Sequence, residues 1–239
     1  MLRFALPLAL LVAAPPAMAQ ERTEAEVKGL ALEAILENPE VIVEAIEMLR
    51  RRDAEEAQAE AQATLGESRD LLERDPNAPV LGNPNGDVTV VEFFDYNCPY
   101  CRRAGDEVAA LLEADPDVRL VYREWPILSE GSLFAARAAL AAREQDLYAQ
   151  MHEAMMDAQG RLDETSVMAI AEEVGLDTAQ LRTDMEAPEV QEHIRTSMEL
   201  AQSLGFSGTP SFVVGDTTAP GLVDAEQLQA MVEDARDDN

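Results

Sequence analysis

Hydrophobic positions change their period three times along this 239-residue chain. After the first twenty residues, "TEAE" at Thr23–Glu26 forms a capping box that predicts a helix through Leu36, and "NPE" restarts the chain with Asn38 as N-cap and Pro39 at the first helical position. Val41, Ile42, Ala45, Ile46 and Leu49 then line one face at helical spacing. Beyond Leu49 the chain turns to alanine and charge, in a helix of roughly 30 residues with little apolar surface to bury in its own domain. It reads either as a stalk or oligomerisation arm, or as a solvent-exposed helix or linker.

"DPNAPVLGNPNGD" breaks helical periodicity and places a domain boundary near Asp75. "VTVVEFFDY" from Val88 is apolar and β-branched enough for a strand buried on both faces. A helix follows, with Val108, Leu111 and Leu112 inward, and then a second strand, "VRLVYREWPI". Strand, helix and strand at this spacing form a parallel unit of an α/β sheet. From about residue 130 to 205 the pattern is helical in several pieces, too long for one crossover and therefore an inserted helical subdomain. Strand character returns in "TPSFVVG", and "DAEQLQAMVEDA" closes the chain as an amphipathic helix.

Residues 1–19 have an early positive charge at Arg3, an apolar run from Phe4 to Ala14 and the small-x-small triplet Ala17, Met18, Ala19, the pattern of a secretory signal peptide cleaved before Gln20. The apolar run is short of the about 20 residues a spanning helix needs. The expected product is an exported protein, periplasmic in a bacterium, where disulfides persist. The formal net charge is −29, from 47 acidic and 18 basic side chains. Such a surface excludes nucleic acid and anionic lipid as partners, since both are held largely by lysine and arginine.

The chain has two cysteines, Cys98 and Cys101, in "FFDYNCPYCRR". A disulfide closing so short a loop adds little stability. A structural zinc site wants four ligands, and His152 and His193 stand in unrelated segments, as expected of helix-surface or packing residues. No metal or cofactor is expected, and Met151, Met155 and Met156 read as core or greasy-surface residues rather than soft-metal ligands. The pair is left with redox chemistry. Cys98, at a strand-to-helix junction, meets unpaired N–H groups and the positive end of the helix dipole, so an acidic, attacking thiolate is expected there. Cys101, one turn further in, is the more buried, resolving thiol.

"VVEFFDYNCPYC", "YREWPIL" and "GFSGTPSFVVG", in this order around a helical insertion, resemble the DsbA-like branch of the thioredoxin superfamily. "AILENPEVIVEAIEML" resembles the leading segment of copper-sensitivity suppressor C-like and Com1-like members, in some of which the leader mediates oligomerisation. The resemblance implies an α/β thioredoxin fold over about residues 76–239, preceded by a helical arm at residues 20–75. It implies that Pro210 is a cis-proline beside the disulfide, that Thr209 pairs through its backbone with substrate, and that Pro99 and Tyr100 tune the potential. Glu92, six residues before Cys98, matches a buried carboxylate that can relay the Cys101 proton, with Arg123 as a candidate partner. The implied function is disulfide exchange with unfolded or misfolded exported proteins and a membrane redox partner, as a homo-oligomeric isomerase or reductase. A monomeric dithiol oxidase and a copper-binding or copper-protective protein are the alternatives.

Overall fold

Val88–Phe94 (β2) and Val118–Glu124 (β3) lie parallel at the centre of the sheet, joined by the helix Pro99–Ala114 (α3). The computed structural model describes residues 23–237, so the expected signal peptide lies outside the described residues. Val80–Gly82 (β1) adds antiparallel to β3, and Ser211–Val214 (β4) and Thr217–Pro220 (β5) extend the other side antiparallel, in the order β1-β3-β2-β4-β5. The insertion between β3 and β4 holds Glu130–Ala141 (α4), Tyr148–Asp157 (α5), Glu164–Val174 (α6), Thr178–Asp184 (α7) and Pro188–Ser203 (α8). Ala225–Asp237 (α9) follows β5. The short edge strands β1 and β5 carry no alternating apolar signal and were legible only as turn-rich sequence.

Both faces of the sheet are covered, which is why β2 reads as a continuous apolar run. On one face Val90 and Phe94 join Cys101, Ala104, Val108 and Leu111 of α3 and Leu228 and Val232 of α9 in the main core. On the other, Val91, Phe93 and Val121 pack with Trp125, Leu200 and Leu204. Register decides which residue goes where: Glu92 shares the face of Val90 and Phe94, and Arg123, opposite Phe93, shares the face of Val121.

Before the sheet come Glu24–Glu37 (α1) and Glu40–Glu73 (α2). Thr23 and Glu26 close the capping box, each bonding to the other's backbone N–H. Asn38 does not serve as the expected N-cap: its side-chain amide donates to the Ala34 carbonyl at 3.0 Å and so ends α1. The chain divides into two compact units, the first ending at Glu55. No residue of α1 is buried, and Val27, Leu36, Val41, Ile42 and Leu49 are all exposed.

The expected boundary near Asp75 falls inside the second unit. Leu65 and Leu72, on the last turns of α2, are buried with Val91, Phe93 and Val121, so this part of the helix belongs to the thioredoxin-like core. Replacing Leu72 with alanine is expected to lower the stability of that unit by roughly 2–5 kcal/mol in urea unfolding. A chain starting at Glu56 is expected to keep the stability of the second unit, and one starting at Pro76, which has lost both leucines, to unfold at lower urea.

Candidate active site

The strand β2 ends at Phe94, and the four residues before α3 are held by hydrogen bonds rather than by chain regularity. The Cys98 N–H donates to the Asp95 carbonyl at 2.9 Å, and the Asn97 N–H to Asp95 Oδ1 at 2.8 Å. These turns set Cys98 in extended backbone (φ −84°, ψ 117°) as the N-cap of α3, with Pro99 in the first turn, where its missing N–H costs nothing. Cys101, one turn on, is fully buried. Both are free thiols.

Their environments push the two sulfurs apart. Cys98 is lowered to about 5: a hydrogen bond from the Cys101 thiol is the largest cause, burial opposes it, and the Thr209 side chain and the Cys101 and Tyr100 N–H groups add to the lowering. Cys98 Sγ also lies 3.3 Å from the Thr209 carbonyl oxygen, a contact the thiol makes as donor and the thiolate cannot keep. Cys101 moves far the other way, first because it is buried, then because its proton is shared with Cys98, then because of Glu92.

Glu92 lies in the middle of β2 with Tyr122 and Phe212 as its strand neighbours, and is buried with no hydrogen bond to Oε1 among the described residues. Burial, and secondarily the Cys98 charge, raise it to about 8. Arg123 is not its partner, because the pleat sends the two side chains to opposite faces. The buried Arg123 guanidinium instead pairs with Asp75 at 2.7 Å and donates to the Leu71 carbonyl of α2.

The Thr209–Pro210 peptide is cis, and Pro210 leads directly into β4, where Ser211 pairs with Phe93. Thr209 and Cys98 therefore meet, as the sulfur contact records. Pro99 and Tyr100 are exposed beside them, Tyr100 at 56%.

Three residues that sequence reasoning missed hold this loop. The buried Asp95 carboxylate accepts the N–H groups of Ile127 and Leu128, both at 2.9 Å, besides that of Asn97. Asn97 bonds both ways with Leu162, accepting its N–H at 2.7 Å and donating to its carbonyl at 3.0 Å. Arg102 donates to the carbonyls of Tyr96, Ala158 and Gly160. Gly131 lets the start of α4 approach this clamp, since a Cβ there would stand 2.2 Å from the Leu162 carbonyl oxygen. The available signal was local: Asp and Asn between a buried strand and a helix start are turn formers with side chains free to bond backbone.

Neither histidine is on the surface. His152 stacks on Tyr122 and Tyr148, and burial lowers it to about 4, so the Tyr96 hydroxyl donates to Nδ1 at 3.0 Å. His193 is more than packing. Its Nε2 lies 2.6 Å from Glu124 Oε2 and 3.3 Å from the Glu124 backbone N–H, and its Nδ1 3.1 Å from the Asn77 carbonyl oxygen. The Tyr148 hydroxyl donates to the other Glu124 oxygen at 2.6 Å. Burial penalises the Glu124 charge, but His193 and Tyr148 together hold its carboxyl below the usual range. Met151 and Met155 are fully buried in the main core.

Residues 89–233 match the DSBA-like thioredoxin domain. The chain belongs to that family. Residues 24–56 match the N-terminal domain of the copper resistance protein ScsC. Among solved structures, a thioredoxin-like oxidoreductase from Silicibacter pomeroyi DSS-3 is 68% identical, with a TM-score of 0.70 over 71% of this chain and 98% of that one. A linker-deletion mutant of Proteus mirabilis ScsC is 27% identical, with a TM-score of 0.70 over 94% of this chain and all of that one. A Na(+)/H(+) antiporter, NhaA 1 of Salinispora arenicola, is 32% identical over 182 residues, 73% of this chain; the chain spans only 28% of that relative's length. The fold of the DSBA-like family supports thiol:disulfide exchange. No described helix is long and apolar enough to cross a membrane.

Thiolate absorbance of the reduced DSBA-like protein is expected to titrate with a midpoint near 5, and a midpoint near 8.5 would exclude the assigned environment. Glu92 supplies a stability signature. Its folded pKa, about 8, exceeds the unfolded value of about 4.3, so the native state holds the extra proton between them and stability falls as pH rises through that window. Burial is the larger cause, so the slope is expected in the disulfide form too, and Glu92→Gln is expected to flatten it in urea titrations at several pH values.

Proposed function

We propose that this is an exported thiol:disulfide oxidoreductase acting on secreted proteins through Cys98 and Cys101, working as an oligomeric isomerase or reductase in the periplasm. The observation that carries the reading is the contrast between the sulfurs: one at a helix N-cap and lowered to about 5, the other fully buried and strongly raised. Only the first is an anion at neutral pH, so only it attacks.

In reduction, the Cys98 thiolate attacks a client disulfide; the Cys98–client S–S bond forms as the client's own bond breaks, and one client sulfur leaves as thiolate. Cys101 then loses its proton to the ionised fraction of Glu92, about a tenth at pH 7 for a pKa near 8, which grows as the pH rises toward 8. Its sulfur displaces the second client thiol and closes the Cys98–Cys101 disulfide, having passed two electrons to the client. Run backwards, the same steps oxidise a client. A lowered Cys98 makes a good leaving group and favours the oxidising direction, so a membrane reductant is needed to keep the pair reduced for isomerisation. Thr209 supports the assignment as the backbone partner of an extended client segment, with Pro210, Pro99 and Tyr100 around it. Its side chain also favours the Cys98 thiolate.

The first unit supports the oligomeric form. Val27, Leu30, Ile35, Leu36, Val41, Ile42 and Ile46 are exposed, and self-association is the simplest way to bury such a set. Several sites tethered on one client raise the effective concentration of the second thiol attack, which reshuffling requires. The match to a domain named for copper resistance favours copper protection as a second reading, with the two thiols as soft ligands. Among the described residues no group of three or more His, Cys, Asp or Glu could hold a metal.

Cys98→Ser is expected to abolish turnover, and Cys101→Ser to trap clients on Cys98 as mixed disulfides visible on non-reducing gels. Interchangeable behaviour of the two variants would overturn the roles. Glu92→Gln is expected to leave trapping intact and lengthen the mixed-disulfide lifetime roughly 100-fold. Deleting residues 20–55, which spares Leu65 and Leu72, is expected to give a folded monomer by light scattering that retains dithiol chemistry and loses most scrambled-substrate refolding. A full-length protein monomeric at micromolar concentration would instead identify a dithiol oxidase.

A further inference from the structure

A cavity of about 450 Å³ opens directly beside Cys98, lined by Asn97, Pro99, Arg102, Leu128, Gly160 and Arg161. Its charge is opposite to that of the chain, which carries 47 acidic side chains against 18 basic ones. No carboxylate lines it. Arg102 spends its guanidinium on three carbonyl oxygens, which fix the charge without neutralising it. The exposed Arg161 makes one long contact, 3.5 Å to the Leu128 carbonyl, which leaves most of its N–H groups available. Arg103, next along α3, is exposed but does not line the cavity. Asp95, two residues from Asn97, is buried with both oxygens taken by backbone N–H groups, and the exposed Glu130 and Asp163, each two residues from a lining residue, do not line the cavity. Leu128, 47% exposed, and Pro99 give the cavity an apolar side.

We propose that this cavity is a recognition subsite for a client carboxylate lying within a residue or two of the reactive client sulfur. The proposal rests on the disulfide-exchange reading and deepens it by naming a substrate class, clients with acidic residues next to cysteine. An acid with an aliphatic stem fits both chemistries of the cavity: methylenes against Leu128 and Pro99, carboxylate on Arg161 in the field of Arg102. Arg102 and Arg161, which line the cavity, outweigh the single negative charge of the Cys98 thiolate, which by itself would repel an acidic segment. The rest of the strongly acidic surface repels such a segment, so the attraction is confined to the place where the sulfur is.

Three synthetic peptides identical except for Glu, Gln or Lys beside their cysteine, each carrying a 2-thiopyridyl mixed disulfide, test this on the reduced full-length protein. Cys98 thiolate attacks the peptide sulfur, the peptide–pyridyl S–S bond breaks, and the leaving thiolate takes a proton to give the absorbing thiopyridone. Each rate is divided by that of the same peptide with 2-mercaptoethanol, which removes intrinsic reactivity. At low salt the normalised rates are expected to run Glu above Gln above Lys, with Glu over Gln roughly two- to fivefold, and to converge at about 1 M salt, where screening extends to about 3 Å. Arg161→Gln is expected to bring the Glu-to-Gln ratio close to one. Arg236→Gln, which removes the same charge from the Asp87 and Asp115 pairs, is expected to keep the ratio. Equal normalised rates for Glu and Gln, or a ratio that survives Arg161→Gln, would overturn the subsite while leaving disulfide exchange standing. Failure of all three peptides to react would overturn the exchange reading, and the subsite with it.

Discussion

The Asp95 carboxylate is the tie on which the site depends. It is buried, so its charge is tolerable only because Asn97, Ile127 and Leu128 each give it an N–H, and because it binds backbone rather than side chains it fixes main-chain paths. One of those paths is the turn that ends in Cys98 at the start of α3; another is the exit of β3 toward the helical insertion. Without it three N–H groups of the loop would lose their shared acceptor, and the N-cap position of the sulfur would no longer be determined. Asn97 extends the same device to Leu162, so the start of α3, the exit of β3 and the segment before α6 are tied at one point.

Three buried carboxylates in this fold show how partners rather than burial decide what an acid does. Asp95 is satisfied by backbone N–H groups and holds the loop. Glu124 accepts the Tyr148 O–H and lies 2.6 Å from His193 Nε2, is held low, and pins α5 and α8 to β3. Glu92 is equally buried, but Tyr122 and Phe212 beside it offer no bond to Oε1, so its pKa rises to about 8. The acid raised rather than lowered by its surroundings is the one free to exchange a proton. It is also the one lying on the Cys101 face of the sheet.

Period and residue type made the central elements legible: β2 and β3 from their unbroken apolar runs, α3 from its inner leucines, the insertion from its length, and the cysteine pair from its position at a strand end. What escaped depends on facing, which spacing alone does not settle. Glu92 and Arg123 were natural partners as the two charged residues of neighbouring apolar strands, yet one residue of register puts them on opposite faces. His193 lies in an amphipathic helix like any packing residue, and only the approach of α8 to β3 reveals the acid it meets. The alanine-rich part of α2 hides two leucines, Leu65 and Leu72, that belong to the core of the second unit.

The electrostatics around Cys98 separate by range. The thiolate is stabilised mainly by neutral donors in contact with it: the Cys101 thiol, the Thr209 side chain and two backbone N–H groups. Contact dipoles in a half-dry site are little affected by salt, so the reactivity of the sulfur is set by the fold alone. The arginines of α3 and of the loop before α6 act over longer distances and through water, where ionic strength screens them. Reactivity and encounter are therefore governed by different groups. A change at Arg161 can alter which clients arrive without altering the nucleophile they meet, whereas a change at Thr209 touches both the thiolate and the client backbone at once.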